Sequence, residues 1–304
     1  MATPPGFLGA LTGRPYLLLW LTTIGWAGNA VAGRLAVGHI SPMMIVTLRW
    51  LVVVLLLGAL AGRALRAEWR SISSHWPYVF CMGALGYTVF NAIFYWSAHY
   101  TSAVNMGVIQ GVTPALVMGM AYLAYRSRIT GLQAVGLVVT VAGVAVVASR
   151  GSWEVLRSFA FNIGDVGIVV ASALYAGYTV GLRRRPPMSP VAFFAAMALA
   201  ALATSLPLLA VEIARGAAQP PDLSGWALIL YIGIVPSLLC QMAYMRAVQL
   251  IGPNRAGLFM NLIPVVAACL GVVLLGEHFG LYHAVGLALV LGGIWLAERK
   301  PGLA

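Results

Sequence analysis

Two short stretches of the chain carry side chains whose types and spacing suit the binding of a small organic solute. Tyr87, Asn91 and Phe94 stand at i, i+4 and i+7, one face of a helix, with Tyr95 beside them. A shift of 150 residues brings Ser237, Gln241 and Tyr244 onto the same three places. An amide facing hydrocarbon is costly, so Asn91 and Gln241 must point into a helix bundle or a wet cavity. Polar glue between helices is one use for them; the match across the shift favours cavity lining. Trp26, Asn29, Ala30 and Gly33 mark a face of an earlier segment, and Tyr175 and Tyr178 lie in the segment that corresponds to it. Met106, Gln110 and Thr113 line a third face, with Met260 and Asn261 in its counterpart. Aromatic, amide and thioether groups of this kind suit a pocket that holds a flat or bulky apolar group and satisfies a few polar atoms. For each taken singly, plain helix packing is the competing explanation.

Other residues bear on how such a pocket works. Pro114 and Pro264 pair under the same shift, and each removes a backbone hydrogen bond and crowds the preceding turn, so kinks or short breaks are expected there. Pro236 is a third candidate bend, unpaired because its counterpart is Gly86. Arg49 is the one clear charge inside an apolar run; it can hold carbonyls at a helix end, snorkel to the interface, or meet a substrate carboxylate. The seven acids, Glu68, Glu154, Asp165, Glu212, Asp222, Glu277 and Glu298, fall in loops or near helix ends. A proton-coupled pump for cations usually needs a membrane-embedded carboxylate, so a facilitated or exchange mechanism fits better. No phosphate loop, His-Glu-x-x-His pair or Gly-x-Ser-x-Gly elbow appears, so no catalytic residue, metal site or cofactor is expected.

The elements that position these groups are long apolar segments. Hydrophobic residues make up 61% of the 304 and charged ones 8%, which a soluble domain cannot accommodate. Apolar segments recur at about 16–37, 42–61, 76–97, 102–125, 131–149, 163–182, 190–211, 225–247, 254–275 and 281–298. Ser41-Pro42, Ser73-Ser74, Thr130-Gly131, Pro186-Pro187, Pro220-Pro221-Asp222 and Gly252-Pro253 punctuate them. A crossing needs about 20 residues, so ten helices fit the length. The net charge of +11 comes from basic residues scattered between apolar runs and gives no nucleic-acid surface. With both termini in the cytoplasm, the inner segments hold Arg14, Arg63, Arg66, Arg70, Arg126, Arg128, Arg183, Arg184, Arg185, Arg246, Arg255, Arg299 and Lys300. The outer ones hold Arg34, Arg150, Arg157 and Arg215, the expected inward bias. Cys81, Cys240 and Cys269 fall in apolar runs and are read as buried small hydrophobes. The first apolar run lacks the features of a cleaved signal peptide and is expected to stay as a helix.

The 150-residue shift also pairs Trp76 with Trp226, Gly83 with Gly233, Gly107 with Gly257, Ala134-Val135-Gly136-Leu137 with Ala284-Val285-Gly286-Leu287, and Gly143 with Gly293. A shift of 148 pairs Gly33, Ser41 and Pro42 with Gly181, Ser189 and Pro190. These matches imply a five-helix unit, residues 1–150, duplicated in residues 151–304. Five is odd, so the second copy enters from the opposite side, and the expected fold is an all-α membrane protein of two inverted five-helix repeats around a central cavity. Secondary transporters are built this way.

With Ala98-His99-Tyr100-Thr101-Ser102-Ala103, Pro114, Gln133, Gly136 and Gly143 in one half, and Ala247, Pro264, Gly276-Glu277, Gly286 and Gly293 in the other, the chain resembles EamA-type proteins of the drug/metabolite transporter superfamily. Arg49 fits the arginine usual in their second helix, and the likeness runs from about Tyr16 to Glu298. Ser127 departs from the pattern, standing where an acid like Glu277 is common, which puts a shared role for that loop acid in doubt. The aromatic side chains on the expected cavity faces look similar to the YddG-like branch, which exports aromatic amino acids and some toxic compounds. What the resemblance implies is an inner-membrane exporter of amino acids, aromatic ones foremost, or related metabolites, working by alternating access among membrane lipids. The rival readings are a proton-coupled exporter of lipophilic cations, an intramembrane enzyme acting on a lipid head group, and a non-transporting scaffold. The oligomeric state is left open, a monomer included.

Overall fold

The computed structural model describes residues 13–126, 130–158, 161–251 and 259–298, and among them there is no strand. Ser127, Arg128, Gly252-Pro253, Arg255, Gly257, Arg299 and Lys300 lie outside the described residues. The principal helices are α1 (Pro15–Leu35), α2 (Pro42–Ala67), α3 (Trp76–Ser97), α4 (Ala103–Tyr125), α5 (Gly131–Ala148), α6 (Ile163–Gly181), α7 (Pro190–Ala214), α8 (Leu223–Val248), α9 (Ile263–Leu275) and α10 (Leu281–Glu298). Among the described residues, seven of them, α2 to α8, are long and apolar enough to cross a bilayer, and α9 and α10 are shorter apolar helices. Their outward faces carry Leu55, Leu123, Val138 and Val273 exposed, as a surface solvated by hydrocarbon allows.

The helices start where the turn chemistry lies. Thr130 and Gln133 close a capping box on α5, Ser189 accepts from Ala192 N at the start of α7, and Asp222 accepts from Gly225 N at the start of α8. Prolines at Pro42 and Pro190 open α2 and α7, where the missing N–H costs nothing.

Packing repeats itself across the two halves. α1 lies against α8 and α9, and in parallel fashion α6 lies against α3 and α4; α2 packs on α7, and α5 on α10. The α5–α10 pair is antiparallel and glycine-lined: a Cβ on Gly143 would stand 2.7 Å from the Gly286 carbonyl oxygen, and one on Gly293 would stand 2.6 Å from that of Gly136. Only glycine allows the backbones so close. The α2–α7 pair is antiparallel too, and each helix holds the start of the other through a carboxylate. Glu68 accepts from Ser189 N at 2.7 Å; at the opposite end Glu212 accepts from Ser41 Oγ at 2.6 Å and Met43 N at 3.2 Å. A carboxylate against a helix N-terminus satisfies free N–H groups and meets the positive end of the dipole.

Two expectations need correction, and a third gains a detail. Cys240 is buried, but Cys81 and Cys269 are exposed, because their positions face outward, where an apolar residue meets lipid instead of a core. Pro236 does have a structural counterpart. It lies in a π-helical segment of α8 (Gly233–Leu239), and Gly86, its match, lies in a π-helical segment of α3 (Ala84–Val89). Each segment carries one extra residue per turn, so the helix is widened in both halves at the same place. Asp165 sits in the first turn of α6, near a helix end as read, yet is only 1% exposed, so a buried carboxylate does exist.

Pro114 and Pro264 do mark interruptions. α4 breaks after Gln110, and its second part begins at Thr113; α9 begins at Ile263 after a turn at Asn261 and Leu262. Each proline stands at the second residue of a new helical stretch.

Candidate functional site

The two widened turns bring their side chains to one place, and Arg49 of α2 lies between them. Its side chain is buried at 6% exposure. Nε and one terminal nitrogen both donate to Ser237 Oγ, at 3.0 and 2.6 Å, and the other terminal nitrogen donates to Tyr95 Oη at 2.8 Å and to Asn91 Oδ1. Asn91 Nδ2 donates to the Tyr87 carbonyl at 2.5 Å, an oxygen in the π segment. Tyr95 in turn donates to Asn29 Oδ1 of α1 at 2.7 Å, and Ser237 donates to the Ile232 carbonyl at 2.5 Å. Trp50 stacks on Tyr87 at 4.7 Å and 8° between planes, with the Arg49 guanidinium 5.2 Å from the Trp50 ring. Tyr87 and Tyr178 share a hydroxyl hydrogen bond at 3.1 Å, and Gly86 leaves room for the Tyr178 ring, since a Cβ there would stand 2.6 Å from it.

Beside this closed polar core stands a partly exposed aromatic wall. Trp26 Nε1 donates to the Pro236 carbonyl at 2.9 Å, and its ring lies 5.4 Å from that of Tyr244. Tyr175 touches Phe90 and Tyr178, at 5.3 and 5.5 Å between ring centres. Trp26, Asn29, Gln110, Tyr175, Gln241, Tyr244 and Asn261 are all partly exposed, whereas Tyr87, Asn91, Phe94, Tyr95, Tyr178 and Ser237 are buried. The expected faces are thus sorted in two. Asn29, Tyr87, Asn91, Tyr95, Tyr178 and Ser237 gather around or next to Arg49; Trp26 and Tyr244 form the wall, and Tyr175 stands with Phe90 and Tyr178. Phe94 packs against Tyr95 at 5.3 Å, and among the described residues no side-chain bond ties Gln110 or Gln241 to the Arg49 group.

Arg49 neither snorkels nor holds carbonyls, because all its partners are side-chain oxygens. Tyr87, Asn91 and Tyr95 follow one another at intervals of four residues, so Tyr95 shares their helical face.

At one end of the bundle a separate polar cavity of about 550 Å³ is lined by Arg34, Arg150, His99, Glu277, His278 and His283, among others. Its floor is tightly bonded. Gly280 N donates to His283 Nδ1 at 3.0 Å, so His283 presents Nε2–H to Asn105 Oδ1 at 2.9 Å, and Asn105 Nδ2 donates to both Asp165 oxygens at 3.1 and 3.2 Å. Thr101 donates to Asp165 as well. Glu277 accepts from Ala103 N and Val104 N, 2.8 Å each, clamping the start of α4. Burial, and after it the neighbouring Arg34, holds the His99 imidazole below its ordinary value, with Glu212 pulling the other way. At the same end Asp222 is held below the usual carboxylate range by its bond from His39, 2.7 Å away, and by Gly225 N–H. Asn105, Thr101 and His283 were not singled out by spacing; a lone amide within an apolar run, Asn105, was the available signal.

The sequence model of the EamA-like transporter family matches residues 13–149 and again 162–298. The chain belongs to the EamA-like transporter family. It is therefore a multi-pass membrane protein of a family of transporters. It is 26% identical over 292 residues to an uncharacterized transporter of Archaeoglobus fulgidus, covering 94% of this chain and 99% of that one. It is 26% identical to the uncharacterized transporter YyaM of Bacillus subtilis, over 71% of each chain. A probable terminal-alkyne amino-acid exporter of Streptantibioticus cattleyicolor is 25% identical over 74% of this chain and 73% of its own. A crystal structure of a protein 20% identical superposes with a TM-score of 0.65 over 93% of this chain and 96% of that one, a likeness of fold.

Proposed function

We propose that this EamA-family transporter exports amino acids, aromatic ones foremost, or related small metabolites across the bacterial inner membrane by alternating access, as a facilitator or exchanger. The observation that carries the proposal is the joining of matched π segments from both halves by one polar cluster beside a partly exposed aromatic wall. Such a wall accepts a flat ring, and the polar groups beside it can satisfy the amino-acid head.

In this proposal the chain crosses the membrane ten times as two inverted five-helix repeats, with both termini in the cytoplasm. The antiparallel α5–α10 and α2–α7 pairs support the inversion, as does the pairing of α1 with α8 and α9 against α6 with α3 and α4. So do the two family matches, residues 13–149 and 162–298. Arg183 and Arg184 lie over the Tyr125 ring at 4.8 and 5.3 Å, while Arg34 and Arg150 share the polar cavity, so each pair keeps to one end, as the proposed sidedness requires. The interrupted helices α4 and α9 and the widened α3 and α8 would supply the bending. The amino-acid exporter among the relatives is consistent with the substrate class.

The test is flux. Purified protein in liposomes should carry labelled phenylalanine or tryptophan down an imposed gradient, and an Asn91→Ala plus Gln241→Ala variant should lose most of that flux. No flux with folded wild-type protein, or full flux in the double variant, would refute the proposal.

A further inference from the structure

We infer that Arg49 is the ligand for a carboxylate on the transported solute, so that the substrates are acids or zwitterions and not simple cations. The inference rests on the transport reading above and deepens it by naming the group recognised.

A guanidinium buried in a membrane-spanning bundle is costly, and proteins normally balance it with a carboxylate. Arg49 has none. Its donors end on the Ser237 and Tyr95 hydroxyls and the Asn91 amide oxygen, all neutral. Five acids of the bundle are committed at helix ends elsewhere: Glu68 to the start of α7, Glu212 to the start of α2, Glu277 to the start of α4, Asp222 to His39, and Asp165 to Thr101 and Asn105.

The way the charge is held is equally specific. Nε and the terminal nitrogen beside it form the edge of a guanidinium that matches a carboxylate with two parallel bonds. In Arg49 that edge is served by the single oxygen of Ser237, at 3.0 and 2.6 Å. One hydroxyl thus occupies the place of two carboxylate oxygens. An ionised acceptor bonds roughly twice as strongly as a neutral one, so an arriving carboxylate displaces the hydroxyl. Ser237 already has an alternative partner, the Ile232 carbonyl at 2.5 Å, which keeps it satisfied when displaced.

Access comes from the aromatic wall. Trp26 bonds the carbonyl of Pro236, the residue preceding Ser237, and Trp26 and Tyr244 are partly exposed. A solute ring laid on that wall lies beside the turn that carries Ser237, the residue holding the Arg49 edge. The remaining bonds, to Asn91 and Tyr95, keep the guanidinium aimed while the exchange takes place.

Wild-type protein decides the point without any variant. Binding of phenylalanine, tryptophan and 3-phenylpropanoate, each against its own amide, is read from intrinsic tryptophan fluorescence and thermal shift. Each acid is expected to bind at least about tenfold more tightly than its amide, the loss of a charged hydrogen-bond acceptor. In Arg49→Gln the acid and the amide should bind alike; Arg49→Lys should keep part of the preference, since it retains the charge but not the fork. Wild-type protein that prefers none of these acids to its amide overturns the assignment, whether or not the variants fold. If liposomes carry acid and amide equally, the role of Arg49 fails and transport stands. If folded protein prefers the acids yet carries neither, transport fails and the carboxylate site stands.

Discussion

Replacing Glu277 should weaken the fold in a graded way that its bonding sets. Its two oxygens take the N–H groups of Ala103 and Val104 at 2.8 Å each, at the start of α4. Hydrogen bonds to a charged group are worth about 1.5–3 kcal/mol each. The residue is half-buried, so the low end of that range applies, and the helix dipole adds about 0.3–1 kcal/mol. Glu277→Ala should therefore cost about 3–4 kcal/mol. Glu277→Gln keeps one oxygen able to accept from one N–H and loses the charge, so about half that cost, roughly 1.5–2 kcal/mol, is expected. The assay is unfolding in detergent, thermal or by titrated SDS, followed by the fluorescence of the nine tryptophans. A Glu277→Ala protein within about 0.5 kcal/mol of wild type would refute the reasoning, since an ordinary surface change does no more. So would a glutamine variant as unstable as the alanine one, because paired oxygens would then not be what holds α4.

Gly143→Ala should destabilise by about 1–3 kcal/mol, because its Cβ would stand 2.7 Å from the Gly286 carbonyl oxygen and 2.9 Å from Val290 N, both backbone atoms. Gly119→Ala, with nothing within 4 Å, should instead be neutral or stabilising by about 0.5–1 kcal/mol, and the same unfolding assay compares the two. His99 is held below its ordinary value in the folded state, so the unfolded chain takes up the proton first as pH falls. Stability should be constant above about pH 6.5 and decline below it, and His99→Gln should flatten that decline in melting temperatures measured across the range.

Much of the frame was legible because hydropathy and helix-start chemistry agree. α3 spans Trp76–Ser97 and α5 starts at Gly131, as the apolar run and the Thr130-Gly131 cap indicate. The interruptions at Pro114 and Pro264 follow from proline's missing donor. The π segments were hidden, since one extra residue per turn leaves an apolar run apolar; Pro236 pointed to one of them, but Gly86 carried no sign of the other. Asn91, Ser237 and Tyr95 could be placed on inward faces, yet their common partner is Arg49 of α2, a tertiary meeting that no spacing encodes. The burial of Asp165 was hidden for a related reason. Position near a helix end says where a charge lies along the chain, and the neighbouring helix decides whether that end is open or, as for Asp165, enclosed.

The reciprocal grips of Glu68 and Glu212 make α2 and α7 a tie-rod fastened at both ends. Sliding one past the other by a single residue is a displacement of about 1.5 Å, which would pull both fastenings apart together. The pair can tilt or roll as one body but cannot change its length. In the alternating access proposed above, the stroke would pivot on this axle, and the displacement would fall to the broken and widened helices around it.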